Sequence, residues 1–128
     1  MLQSRAALFI FEAGAAKMFT GAIIKETISD EFVFDYVEIE KAEIWKTNDT
    51  IKYWTVVWFK SDAADFPERL SSVIIDGWFA DMKEGTTKYI VFRDTVLKYT
   101  IGNAAEKNAV LDECRKRGIP DEQMGWEE

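Results

Sequence analysis

Histidine is absent from this 128-residue chain, and cysteine occurs once, at Cys114. Without histidine the chain lacks the commonest general base, the partner in Ser-His and Cys-His nucleophile pairs, and the most frequent metal ligand. A single thiol can form neither an intrachain disulfide nor a cysteine-based zinc site. No phosphate loop, dinucleotide fingerprint or serine elbow occurs. The expectation is a protein without cofactor or metal, leaning away from catalysis.

Long apolar runs are also missing. The stretch from Ala6 to Ile24 is interrupted by Glu12 and Lys17, which makes it a poor membrane span. Its part before Glu12 is short for a signal-peptide core. With cysteine use that suits a reducing compartment, these features predict a cytoplasmic protein with no membrane association. Basic residues are in the minority, 16 against 23 acidic, for a net charge of −7. Polyanions are repelled by such a surface, so nucleic acid is not an expected partner. An acidic mimic that inhibits a nucleic-acid-binding protein would need its carboxylates gathered on one face, and the charge is spread evenly along the chain.

What the chain does have is a folding composition, with 48% hydrophobic and 14% aromatic residues. One domain over residues 1–128 follows, with residues 121–128 as a polar C-terminal tail. Residues 2–17 read as a helix. Strands are expected over 18–27, from Phe32 toward Trp45, and over 51–60, where β-branched and aromatic residues dominate. Asp65-Phe66-Pro67-Glu68 carries a helix start, and that helix is read to about Lys83, with Gly85 past its end. Residues 88–92 and 95–101 form a hairpin around Arg93-Asp94. Asn103, with Glu106 three residues on, caps a last helix that Gly118 ends. The order α-β-β-β-α-β-β-α predicts an α+β fold, a mainly antiparallel sheet with helices packed on it. This order resembles that of type III secretion chaperones. The likeness implies a small, acidic, non-enzymatic homodimer that binds a protein client through apolar helix surface.

Two residue groups stand out. On a helix over 65–83, Leu70, Val73, Ile74 and Gly77 share a face suited to the sheet. Ile75, Trp78, Phe79 and Met82 then form a second apolar face that needs another cover, either the chain's own first or last helix or a second copy of the chain. Burying those four side chains is worth on the order of 6–12 kcal/mol before ordering costs, and they are the predicted interface of a homodimer. The second group is aromatic. If Asn48-Asp49 is a two-residue turn, Trp45 faces Lys52, Glu43 faces Trp54, Lys41 faces Val56 and Ile39 faces Trp58. Trp45, Trp54 and Trp58, with Lys41 and Glu43, would then wall a small-molecule groove or lie in the core under a helix.

Three charged features carry less. The acidic run Asp30, Glu31, Asp35, Glu38, Glu40 and Glu43 reads as a solvated sheet edge. Arg115, Lys116 and Arg117 offset a helix dipole, and Cys114 reads as a small buried hydrophobe.

Overall fold

A computed structural model describes residues 17–128. The helix expected over 2–17 lies, but for Lys17, outside the described residues. Six strands form one sheet: β1 (Phe19–Ile24), β2 (Glu38–Lys46), β3 (Tyr53–Ser61), β4 (Ala80–Glu84), β5 (Thr87–Phe92) and β6 (Thr95–Thr100). Their spatial order is β2-β3-β1-β4-β5-β6, and every neighbouring pair is antiparallel. Two α-helices are described, α1 (Phe66–Ser71) and α2 (Ala104–Lys116), with short 3-10 turns at Lys25–Thr27, Glu31–Tyr36 and Asp121–Gln123. The α+β class and the antiparallel sheet agree with expectation; the element order does not.

The difference lies between Ser72 and Glu84. The predicted helix stops after one and a half turns, and its second half is a loop followed by β4. Val73, Ile74 and Ile75 are three consecutive β-branched residues, whose restricted rotamers disfavour helix. They run extended beside Thr27–Ser29: Ile74 bridges Ile28, Ser29 N–H donates to the Val73 carbonyl at 2.8 Å, and Ile75 N–H donates to the Thr27 carbonyl at 2.9 Å. Gly77 then takes a left-handed turn at φ +86°, and Ala80–Glu84 alternates as a strand. The wheel that set Ile75, Trp78, Phe79 and Met82 on one helical face therefore has no helix beneath it. Met82 is fully buried in the core of its own chain. The likeness in element order to type III secretion chaperones lapses with that helix. A second correction is at Phe32, where a 3-10 turn capped by Asp30 replaces the opening of a strand.

Alternation along the strands divides the core in two. On the first face, Phe19, Ile23, Phe59, Met82, Tyr89 and Val91 pack against Phe66, Leu70 and Ile74 from α1 and its exit, and against Val33. On the second face, Ile90, Phe92 and Tyr99 pack against Val110, Cys114, Ile119 and Met124 from α2 and the segment after it. The ends of α2 are as the sequence suggests. Asn103 accepts from Glu106 N–H at 3.1 Å, and Gly118 (φ +85°) closes a Schellman motif, with Ile119 N–H donating to the Cys114 carbonyl at 3.1 Å.

Gly21 lets the sheet close in its middle. A Cβ there would lie 2.6 Å from the Asp81 carbonyl oxygen and 2.9 Å from the Met82 Cβ, so β1 and β4 approach more closely than any side chain permits. Gly21→Ala is expected to cost about 1–3 kcal/mol by overpacking. A urea titration should show a lower midpoint with an unchanged slope.

Candidate functional site

The second face is covered unevenly. Helix α2 and the chain after it lie over β5 and β6. Over β1 and β3 none of the described helices packs, and there a trough encloses roughly 850 Å³, within the range of about 300–1,000 Å³ usual for small-molecule pockets. Its floor is β1, where Thr20 and Ala22 are small. One wall is the aromatic surface of the β2–β3 hairpin, Trp45, Trp54 and Trp58. Trp78 stands in the loop before β4. The opposite wall is Asp81, Lys83 and Lys88, with tail residues Glu127 and Glu128 at the rim.

The hairpin register differs from the expected one, yet the aromatic face survives. Residues 47–52 form the loop instead of a two-residue turn, and Thr47 N–H donates to the Lys52 carbonyl at 2.7 Å. Trp45 therefore pairs with Trp54, Glu43 with Val56 and Lys41 with Trp58. From Lys41 to Trp45 the slip is two residues, the period of the strand, so these side chains keep their face. A bulge between Ile39 and Lys41 shifts the register by one, so Ile39, expected opposite Trp58, instead pairs with Phe59 on the first face. All five candidate residues, Trp45, Trp54, Trp58, Lys41 and Glu43, therefore lie on the second face.

Lys41 and Glu43 hold the aromatic wall in place. The Lys41 Nζ sits 4.2 Å from the centre of the Trp58 ring, a cation–π contact worth about 0.5–1 kcal/mol at an exposed position. Trp45 Nε1 donates to the Glu43 carboxylate at 2.9 Å, and that bond holds the carboxyl below its ordinary value. Trp45 meets Trp58 edge-to-face at 5.9 Å, and Trp54 meets Trp78 in the same way at 5.6 Å. Trp54 Nε1 is buried without a hydrogen-bond partner, an uncompensated donor in the wall of the trough.

Of the four residues expected at a dimer interface, Trp78 and Phe79 line this trough and Met82 points to the opposite core. Phe79 also contacts Phe92 and Trp126 at 5.9 Å each. Ile75 is half-buried beside the 3-10 turn at Thr27.

A helix read to about Lys83 hides the lysine wall from the sequence. Read as a strand, with Gly85-Thr86 as its turn, Ala80–Glu84 places Lys83 directly across from Lys88. Lys88 is only 3% exposed. Its ammonium pairs with Asp81 at 2.6 Å and donates to the Glu127 main-chain oxygen. Lys83 Nζ donates to the Glu128 main-chain oxygen at 2.8 Å, and Lys107 Nζ lies 3.2 Å from the Glu128 carboxylate. The Tyr99 hydroxyl donates to the same carboxylate and accepts from Trp126 Nε1 at 2.9 Å. Burial, followed by the bond to Glu128, pushes the Tyr99 phenol up to about 12. The Tyr99 bond, followed by that to Lys107, holds the Glu128 carboxyl below its ordinary value.

The other charged candidates are occupied elsewhere. The acidic run is divided among separate partners: Glu31 pairs with Lys25 at 2.7 Å, Glu40 with Lys60 at 3.2 Å and Glu43 with Lys41 at 3.6 Å. Among the described residues no group of three or more acidic or cysteine side chains could hold a metal ion, and no helix is long and apolar enough to cross a membrane. Arg115 bonds Asp112 and Asp121, and Arg117 covers the Phe92 ring. Burial raises the Cys114 thiol pKa, which makes it a poor nucleophile.

Tail attachment should depend on pH in both directions. The lowered Glu128 carboxyl contributes fully above the ordinary carboxyl range, and that contribution is lost as pH falls through it. The raised Tyr99 phenol contributes below about 10 and loses its effect as pH rises toward 12. The Trp126 indole N–H resonance should therefore shift at acid pH in the unsubstituted chain and lose that step in Glu128→Gln. In the same variant, phenolate absorbance should show Tyr99 titrating at lower pH. Comparison with family models, curated proteins and solved structures finds no match for this chain, so the geometry of the trough stands as its own guide to function.

Proposed function

We propose that the chain is a small-molecule-binding module whose ligand lies in the trough on the second face. The supporting observation is the trough itself: roughly 850 Å³ of space lined by Trp45, Trp54, Trp58 and Trp78 over a floor of small side chains. Large aromatic walls with few polar groups favour a flat, apolar ligand body. The wall residues are oriented before any ligand arrives, by Lys41 on Trp58 and Glu43 on Trp45, which lowers the ordering cost of binding. Among the trough-lining residues Lys88 pairs with Asp81, Lys83 bonds the tail, Glu40 pairs with Lys60, and Asp49 accepts from Thr50. The reading is one of binding.

A library of flat aromatic compounds should include members that quench tryptophan fluorescence and raise the melting temperature. A ligand at a hundred times its Kd stabilises by about 2.7 kcal/mol. Trp58→Ala and Ala22→Leu, the latter filling the floor, should abolish the ligand-induced shift while leaving the unliganded fold intact. A library without a single thermal shift, or binding unaffected by both substitutions, would remove the proposal.

A second reading keeps the homodimer or protein client expected from sequence, at a different surface. Ile39, Ile44 and Tyr53, 54%, 74% and 52% exposed, lie together on the first face of the β2–β3 hairpin. Adjacent exposed apolar side chains of this size mark interaction surfaces. Light scattering should give twice the 14.8 kDa chain mass, falling to one chain in Ile44→Lys. A single-chain mass for the unsubstituted protein rules the dimer out.

A further inference from the structure

Resting on the reading of the trough as a ligand site, we propose that its ligand is a flat aromatic carboxylate, and that Glu128 occupies the acid subsite of that ligand as an internal competitor. The trough has two chemically different sides. Trp58 stands across from Ala22 on β1, and Ala22 across from Asp81 on β4. Two strand spacings, roughly 10 Å, thus separate the aromatic wall from the charged one. A ring system on Trp58 reaches the lysines with a short acidic arm.

The charged wall is already arranged around a carboxylate. Lys107 Nζ and the Tyr99 hydroxyl both bond the Glu128 side chain, and Lys83 Nζ bonds its main-chain oxygen. Asp81 pairs with Lys88. With Glu128 displaced, Lys83 on the trough wall is freed, and Lys107 and the Tyr99 hydroxyl, which Glu128 occupies behind the rim, become available beside it, a combination suited to an incoming anion. Lys88 anchors the tail at Glu127 and Tyr99 anchors it at Trp126, so only the residue after them has to move. The Lys107–Glu128 pair is about one-third exposed on each side. Pairs of that kind contribute little. A ligand carboxylate that also stacks on tryptophan has the advantage over the Glu128 side chain, which brings no such ring.

Two probes separate the body of the ligand from its acid, 2-naphthoate and the neutral 2-naphthalenemethanol, each titrated calorimetrically against the full chain. The chain should bind the carboxylate about tenfold more tightly than the alcohol, the value of one good charge-assisted contact. Glu128→Gln should strengthen naphthoate binding several-fold and leave the alcohol unchanged. Lys83→Met should weaken naphthoate alone. Equal affinity for the two probes, or a Glu128→Gln variant that leaves naphthoate unchanged or alters both probes alike, overturns the acid subsite while the trough reading stands. Failure of both probes to bind the chain or either variant overturns the trough reading and this inference with it.

Discussion

An ammonium group buried to 3% exposure has to find acceptors inside the protein, and Lys88 finds two. Asp81 reaches it from the neighbouring strand, and the Glu127 main-chain oxygen reaches it from the far end of the described chain. An unpaired buried charge would cost several kcal/mol, so the pairing constrains both partners. It fixes Asp81 toward the second face and draws the tail across the sheet. Trp126 then lies against Phe79 and bonds Tyr99. The same ion pair marks the line where the α2-covered half of the second face ends and the trough begins.

The trough follows from unequal side-chain size along one row of the sheet. Trp58, Ala22 and Asp81 are cross-strand neighbours in succession. A large residue, a small one and a charged one in that order leave a channel over the middle strand. The first face shows the converse at Gly21, where β4 closes against β1 so tightly that no Cβ fits. One strand therefore serves both faces, with close contact on one side and open space on the other.

Lys41 and Glu43, read from sequence as polar groups of a groove, act on the tryptophans beside them. Their charges stabilise two ring positions through a cation–π contact and an indole hydrogen bond. The aromatic wall and the charged wall of the trough thus differ in chemistry, rings preset by single charges on one side and a lysine–carboxylate cluster on the other.

Several features were legible in the residues alone. The β5–β6 hairpin around Arg93-Asp94, the capped and glycine-terminated α2, and the shared face of Trp45, Trp54 and Trp58 all depend on short-range alternation, caps and turns. The tryptophan face withstood a wrong register because the error equalled the strand period. The fate of residues 72–84 depended on partners distant in sequence. Their apolar spacing suits a helix, but Thr27–Ser29 offers Val73–Ile75 an extended partner, and β1 offers β4 an edge. The Val-Ile-Ile run and Asp76-Gly77 were the local signs of that outcome. Tertiary structure alone decided that Met82 belongs to the core, that Trp78 joins the groove tryptophans, and that Lys83 and Lys88 face them. Periodicity describes the two sides of a strand; what covers each side is decided by chain segments far away in sequence.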